Sequence, residues 1–270
     1  MDPIVEPASS RLGGLDLRHV GVLSALPREL GPFGTGFESA QPSRSSSGVQ
    51  LHFPTVPGTA LQVTSAVSGV GKVAAALGAA ALLASGVEAL FIVGTCGGLL
   101  PAHGVGELIH LFEAVQWDLS TREGRQVTAH PGLSEGWKRA TQGRSGWALT
   151  ADRPAIGWTA RWRRARAVRA GIGASPANSQ PEVPVADMET AAMGLAAERA
   201  GIPWAALRVI SDAQRPLRTR LLRQKRAESS FQANYGAQAA RPAMSLWEWF
   251  SQTGTPGSQV AQMGSISHGG

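Results

Sequence analysis

Residues 185–213, VADMETAAMGLAAERAGIPWAALRVISDA, hold two apolar elements back to back. Met188, Ala192, Leu195 and Ala196 recur at helical spacing, which predicts an amphipathic helix over 187–200, ended by Gly201 and Pro203. WAALRVI at 204–210 is a short apolar run of the kind that forms a strand buried on both faces. That strand brings Ser211 and Asp212 out at its carboxyl end, and Glu189 opens the helix before it.

The alternation extends toward the N-terminus. TALQVTSAV (59–67) alternates as a strand does, GKVAAALGAAALLA (71–84) reads as a helix, and ALFIV (89–93) reads as a buried strand. Strand, helix and strand in so short a span form a βαβ unit. HVGVLSAL (19–26) predicts the first strand, 107–115 a later one, and SRSSSGVQLHF (43–53) a hairpin-like region. Between 120 and 184 the pattern weakens and only WALTA (147–151) is strand-like, while 246–250 is an apolar anchor. These readings predict one α/β domain over 18–250, irregular at 120–184. A flexible tail is expected at 1–17 and a disordered one at 251–270.

With 270 residues, 43% of them hydrophobic and 16% charged, the chain suits a packed core and not a collagen-like, coiled-coil or wholly disordered polymer. The single cysteine, Cys96, excludes a disulfide framework and a multi-cysteine metal site. The start, MDPIVEPASSRLGG, carries acids and prolines where a secretory signal has a basic end and an apolar run, so a cytoplasmic chain is expected. The apolar stretch 73–100 is interrupted at Ser85, Gly86 and Glu88, which argues against a membrane span. The net charge of +6 raises the question of nucleic acid. RWRRARAVR (161–169) and RPLRTRLLRQKR (215–226) carry eleven basic residues and no acid, and without them the balance is −5. The basic character belongs to two segments, and a nucleic-acid partner is not expected.

Gly69-Val70-Gly71-Lys72 is not a Walker loop, because Ala66 stands where its first glycine belongs and Val73 where its Ser or Thr belongs. As a dinucleotide turn it lacks an acid at the end of the next strand, where Gly94-Thr95 stand. Its backbone amides remain a wall for a polar ligand. More informative are three carboxylates at the ends of predicted elements: Glu29 in SALPRE, Glu189 in ADMETAA and Asp212 in RVISDA. Strand ends and helix starts gather at one edge of an α/β sheet, which is where such folds bind ligands. His19, His110 and His130 show no metal-ligand spacing, and Cys96 has no recognisable histidine partner. Neither a metal, a cofactor nor a cysteine nucleophile is expected.

The runs SGVGKVAAALGAAALL (68–83), FIVGTCGGLLPAHGVGEL (91–108) and 185–213 resemble the nucleoside phosphorylase and nucleosidase superfamily. Within it they are most similar to the 5′-methylthioadenosine/S-adenosylhomocysteine nucleosidases, whose first strand ends in a run like SALPRE. The resemblance spans 21–30, 61–118 and 183–212. It implies a three-layer α/β/α sandwich around a mixed, partly closed sheet. It also implies hydrolysis of the N-glycosidic bond of a purine nucleoside, with a 5′-modified adenosine as substrate and a homodimer as the working form. In this reading Asp212 protonates or hydrogen-bonds N7 of the departing purine, and Glu29 orients and deprotonates the attacking water. Glu189 accepts the ribose hydroxyls, Met188 packs beneath the sugar, Thr95 and Gly97 line its side, and Ser211 steadies Asp212. A phosphorylase with Arg28 and the Gly69–Gly71 amides on phosphate, or a non-catalytic nucleoside- or partner-binding member, are the alternatives.

The chain departs from the family in its middle. Thr150-Ala151-Asp152-Arg153-Pro154 stands where the nucleosidases carry S-G-D-x-F, so Pro154 replaces the aromatic that stacks on the purine. Trp117 or Trp158 could stand in for it. The basic run at 215–226 replaces an acidic, Ser- and Phe-containing stretch after I-S-D.

Overall fold

The structure is a computed structural model that describes residues 10–34, 43–44, 48–99, 104–120, 123–141, 143–152, 183–213 and 230–253. In chain order it begins with β1 (Ser10–Leu12), β2 (Leu15–Leu17), β3 (His19–Ser24), β4 (Ser43–Arg44), β5 (Gln50–His52) and β6 (Gln62–Val67). Helix α1 (Lys72–Ala84), β7 (Ala89–Gly98), β8 (Leu108–Gln116), β9 (Gln126–Thr128), α2 (Pro131–Thr141) and β10 (Arg144–Thr150) follow. Then come β11 (Val183–Asp187), α3 (Thr190–Arg199), β12 (Trp204–Ala213), α4 (Tyr235–Ala239) and α5 (Arg241–Thr253).

The central strands β6, β3, β7 and β12 lie side by side and parallel. β12 then pairs antiparallel with β8, to which β10 and β11 add in parallel. β11 also meets the far end of β7, antiparallel, Val185 opposite Gly98 and Ala186 opposite Gly97. Strands β7, β12, β8, β10 and β11 therefore close into a ring, while β3, β6, β5 and β4 extend from it as an open sheet. The sheet is mixed and partly closed, as the resemblance implies.

Side chains alternate across the sheet as strand geometry demands. On β7, Leu90 and Ile92 join a core with Ala75, Ala79 and Leu82 of α1 and Ala191 and Ala197 of α3. Phe91 and Val93 face the other way, toward Leu133 and Trp137 of α2 and Leu246 and Phe250 of α5. There Phe91 meets Phe250 edge-on at 5.2 Å and Trp137 stacks on Trp249 at 6.4 Å. Two helical layers thus enclose the sheet.

The structure differs from the sequence reading in five places. Asp187 ends a strand instead of opening a helix, because Val183 to Ala186 is itself an apolar run that pairs with β10 and β7. Helix α3 starts at Thr190 and buries Ala191, Ala192, Met193 and Ala197, leaving Met188, Leu195 and Ala196 half-buried. Within 120–184, residues 126–150 are regular, forming β9, α2 and β10. Residues 10–17 are no loose tail: β1 and β2 pair as a hairpin whose Leu12 and Leu17 enter the α2–α5 core. Helix α5 also runs three residues past the expected boundary, to Thr253. Pro154, Trp158 and both basic runs lie outside the described residues. Among those described, no helix is long and apolar enough to cross a membrane.

Candidate active site

The carboxyl ends of β3, β6, β7 and β12 share one edge because these strands are parallel. β11 runs the opposite way, yet its end reaches the same edge because closure of the ring sets it against the last residues of β7. Every carboxylate singled out from the sequence lies at this edge.

Pro27 opens a short 3-10 turn after β3, and this turn swings Glu29 back into the sheet, where it is buried. Thr95 donates to Glu29 Oε1 from both its amide and its hydroxyl, at 2.9 Å each, and the Leu26 amide donates to Oε2 at 3.1 Å. Gly94, beside Thr95, has a φ of +151°, and a Cβ there would lie 3.1 Å from Glu29 Oε2 and collide with the Arg208 guanidinium. Only glycine leaves room for both groups.

Arg208 faces Gly94 across the β12–β7 pairing and is 1% exposed. Its Nη2 is 3.2 Å from Asp187 Oδ2 and 3.8 Å from Glu189 Oε2, and it donates through Nε and Nη2 to the Thr190 hydroxyl at 3.1 and 2.8 Å. Asp187 also accepts from the Thr150 hydroxyl at 2.5 Å and from the hydroxyl and amide of Thr190. A buried guanidinium is sustained only by such pairing and hydrogen bonding. Neither Arg208 nor Asp187 figures among the residues expected from the sequence. The available signal was a single charge inside the apolar run WAALRVI.

Glu189 is buried between this cluster and the start of α1. Its Oε1 accepts the Gly71 amide at 3.1 Å. Burial pushes its pKa up to about 7; Arg208 opposes the rise, and the charges of Asp187 and Glu29 add to it. Asp212, half-buried, lies over Gly97, where a Cβ would stand 3.5 Å from its Oδ1. The Ser211 hydroxyl is 3.2 Å from both Asp212 Oδ1 and the Cys96 carbonyl oxygen. The geometry thus brings Glu29, Thr95, Gly97, Glu189, Ser211 and Asp212 to one edge, with Met188 half-buried next to Glu189.

Sequence reasoning missed the aromatic side of the site. Tyr235 Oη lies 3.4 Å from Thr95 Oγ1, the Arg28 guanidinium sits 5.2 Å over the Tyr235 ring, and Phe231 meets that ring edge-on at 5.8 Å. Burial raises the Tyr235 pKa, and Glu29 and Glu189 add to the rise, so the phenol stays neutral. The four-residue spacing of Phe231 and Tyr235 was the only clue. Trp117, a suggested stand-in for the missing aromatic, packs instead with Leu99, Val115 and Trp147.

Of the amides expected to wall a polar ligand, those of Gly69 and Gly71 are engaged. Gly69 donates to the Ala25 carbonyl at 3.1 Å, Gly71 to Glu189, and the next amide, Lys72, to Asp152 Oδ1 at 2.7 Å. Cys96 is buried, and burial pushes its thiol pKa well up, which makes it a poor nucleophile. Among the described residues no group of three His, Cys, Asp or Glu is placed to hold a metal ion.

A family model described as the phosphorylase superfamily matches residues 19–247. Among solved structures, the S-adenosylhomocysteine nucleosidase of Streptococcus pyogenes in complex with 5-methylthiotubericidin has a TM-score of 0.68 at 19% identity, over 87% of this chain and 97% of that one. The 5′-methylthioadenosine/S-adenosylhomocysteine nucleosidase of Helicobacter pylori gives 0.67 at 17%, over 87% and 99%. The futalosine hydrolase of the same organism gives 0.64 at 17%, over 86% and 98%. At these identities the likeness establishes a shared fold.

Proposed function

The chain belongs to the phosphorylase superfamily, and on that ground we propose that it hydrolyses the N-glycosidic bond of a purine nucleoside, a 5′-modified adenosine such as methylthioadenosine or S-adenosylhomocysteine. Breaking this bond builds positive charge on the sugar and negative charge on the departing base. Asp212 gives its proton to purine N7 as the C1′–N9 electron pair leaves with the base. Water adds at C1′, and its proton passes to Glu29, whose two oxygens are held by Thr95 and Leu26. Glu189 accepts the ribose 2′- and 3′-hydroxyls, with Met188 beneath the sugar and Thr95 and Gly97 at its side. The products are free base and a ribose hydroxylated at C1′.

Hydrolysis is favoured over phosphorolysis by one observation. Gly71, one of the amides that would cradle a phosphate, already donates to the Glu189 carboxylate, and the next amide, Lys72, donates to Asp152. Those donors are not free for a phosphate, and the carboxylates they hold oppose a further anion wherever they are ionised. Arg28, the other candidate phosphate ligand, stacks on Tyr235.

Purified protein incubated with methylthioadenosine and S-adenosylhomocysteine should release free adenine in phosphate-free buffer. A strict phosphate requirement with ribose 1-phosphate as product would replace this reading with phosphorolysis. Saturable nucleoside binding without turnover under either condition would replace it with a binding role.

A homodimer and a cytoplasmic site of action complete the proposal. The outward face of α1 carries Val73, 74% exposed, and Leu77, 47% exposed, and α1 bears no charge beyond Lys72. A second copy presenting the same uncharged face covers it without opposing like charges. The lone, buried Cys96 suits a reducing compartment.

A further inference from the structure

Asp152 lies just beyond the carboxylates discussed so far, at the point where three strand ends are tied together. Helix α1 begins after Gly71, a residue with no side chain to cap it. The cap comes from 80 residues away: Asp152, after β10, accepts the Lys72 amide through Oδ1 at 2.7 Å. Asp152 is itself held by its own amide, which donates to Asp118 Oδ2 at 3.1 Å in the turn after β8. Lys72 closes the loop, its Nζ 2.6 Å from Asp118 Oδ1 and 3.9 Å from Asp152 Oδ2. The φ of +98° at Gly71 lets two consecutive amides diverge, one toward Asp152 and one toward Glu189. A Cβ on Gly71 would stand 3.4 Å from Asp152 Oδ1.

We propose that Asp152, clipped by Lys72 and Asp118, is a positioning residue: it holds the start of α1 so that the Gly71 amide stays on Glu189 Oε1. The proposal rests on the reading of Glu189 as the ribose-hydroxyl acceptor. A stabilising role alone does not account for the arrangement. The side chains of Asp152 and Asp118 are 50% and 34% exposed, and ion pairs so open to water add little to stability. Their effect is geometric and falls on a buried group. Glu189 is faced by Arg208 from β12, Asp187 from β11, Glu29 from the turn after β3, Tyr235 from α4 and the Gly71 amide from α1. Of these, only the amide and Arg208 favour the carboxylate form, so loosening the amide favours the protonated acid.

The test compares wild type, Asp152→Ala and Asp152→Asn in steady-state cleavage of methylthioadenosine from pH 5 to 9, with thermal unfolding alongside. For Asp152→Ala, loss of one charge-assisted hydrogen bond predicts a rise in KM of about tenfold, with kcat within about threefold of wild type. The acid limb of kcat/KM should move to higher pH. Asn keeps an oxygen for the Lys72 amide, so Asp152→Asn should restore KM to within about threefold of wild type. An Asp152→Ala enzyme with an unmoved acid limb overturns the proposal, whether KM is unchanged or activity merely falls together with the melting temperature. If wild type cleaves no nucleoside, the hydrolase reading has failed on its own. The clip is then read from the pH dependence of methylthioadenosine binding by calorimetry, where Asp152→Ala must still weaken binding most at low pH.

Discussion

In the proposed reaction the chemistry at Asp212 depends on one proton. The carboxylate lies over Gly97 with Ser211 beside it. Asp212→Asn keeps the shape and removes the acid. Turnover should fall by about 10²–10⁴-fold, the usual share of general-acid help, while the circular dichroism spectrum and melting temperature stay near wild type. Full turnover by the variant would remove Asp212 from the mechanism. Glu189 carries the pH dependence expected of the site. Its pKa is raised to about 7, and in the proposed reaction protonation removes the acceptor of the ribose hydroxyls. Nucleoside affinity should therefore climb as pH rises through about 7. For folding the sign is the reverse: the buried acid favours the folded state below its ordinary value near 4.5, and that contribution is lost as pH rises through about 7. Glu29, Glu189 and Asp212 were legible in the sequence because each stands at the end of a recognisable run. Arg208 was not, because a local pattern says nothing about what a charged side chain meets inside.

Helix α2 shows how an element was missed, and its contact with strand β8 shows what the packing does in return. PGLSEGWKRAT carries a proline and two glycines, which obscure the helical period, yet Leu133 and Trp137, four apart, are both fully buried. Trp137 stands edge-on to His110 of β8 at 5.6 Å, and His110 Nε2 bonds the Thr141 hydroxyl at 2.6 Å. Burial, with Lys138 nearby, lowers the His110 pKa to about 3 from 6.5. Its neutral form is the folded one, so its contribution is complete above pH 6.5 and is lost as pH falls toward 3. At pH 5 the linkage amounts to about 2 kcal/mol. His110→Leu should lose less stability than wild type between pH 7.5 and 5 in denaturant titrations; an equal loss in both would dissociate His110 from the acid response. The shift of α3 has a related cause. DMETAAM fits a helical period as well as a strand end, and the choice was made by pairing of Val183 to Asp187 with β10 and β7.

For the whole molecule, the apolar face of α1 is the surface that asks for a partner. Replacing both Val73 and Leu77 with Glu places like charges opposite each other in a two-fold interface. Wild type should sediment as a dimer and the double variant as a monomer; a monomeric wild type, or a dimer untouched by the change, would refute this interface. The α/β class, the order of its central elements and the three acids at their ends follow from the chain's own periodicities. Burial on one helix face or on both faces of a strand is written in residues a few positions apart. Closure of the sheet is not local. It sets Ala186 against Gly97, and so brings Asp187 and Glu189 to the edge that carries Glu29 and Asp212. The pairing of Arg208 with Asp187, the reach of Tyr235 to Thr95 and the capping of α1 by Asp152 join positions 21, 140 and 80 residues apart. Such contacts depend on which strand ends the completed sheet brings together, and no pattern within a short stretch of chain records that.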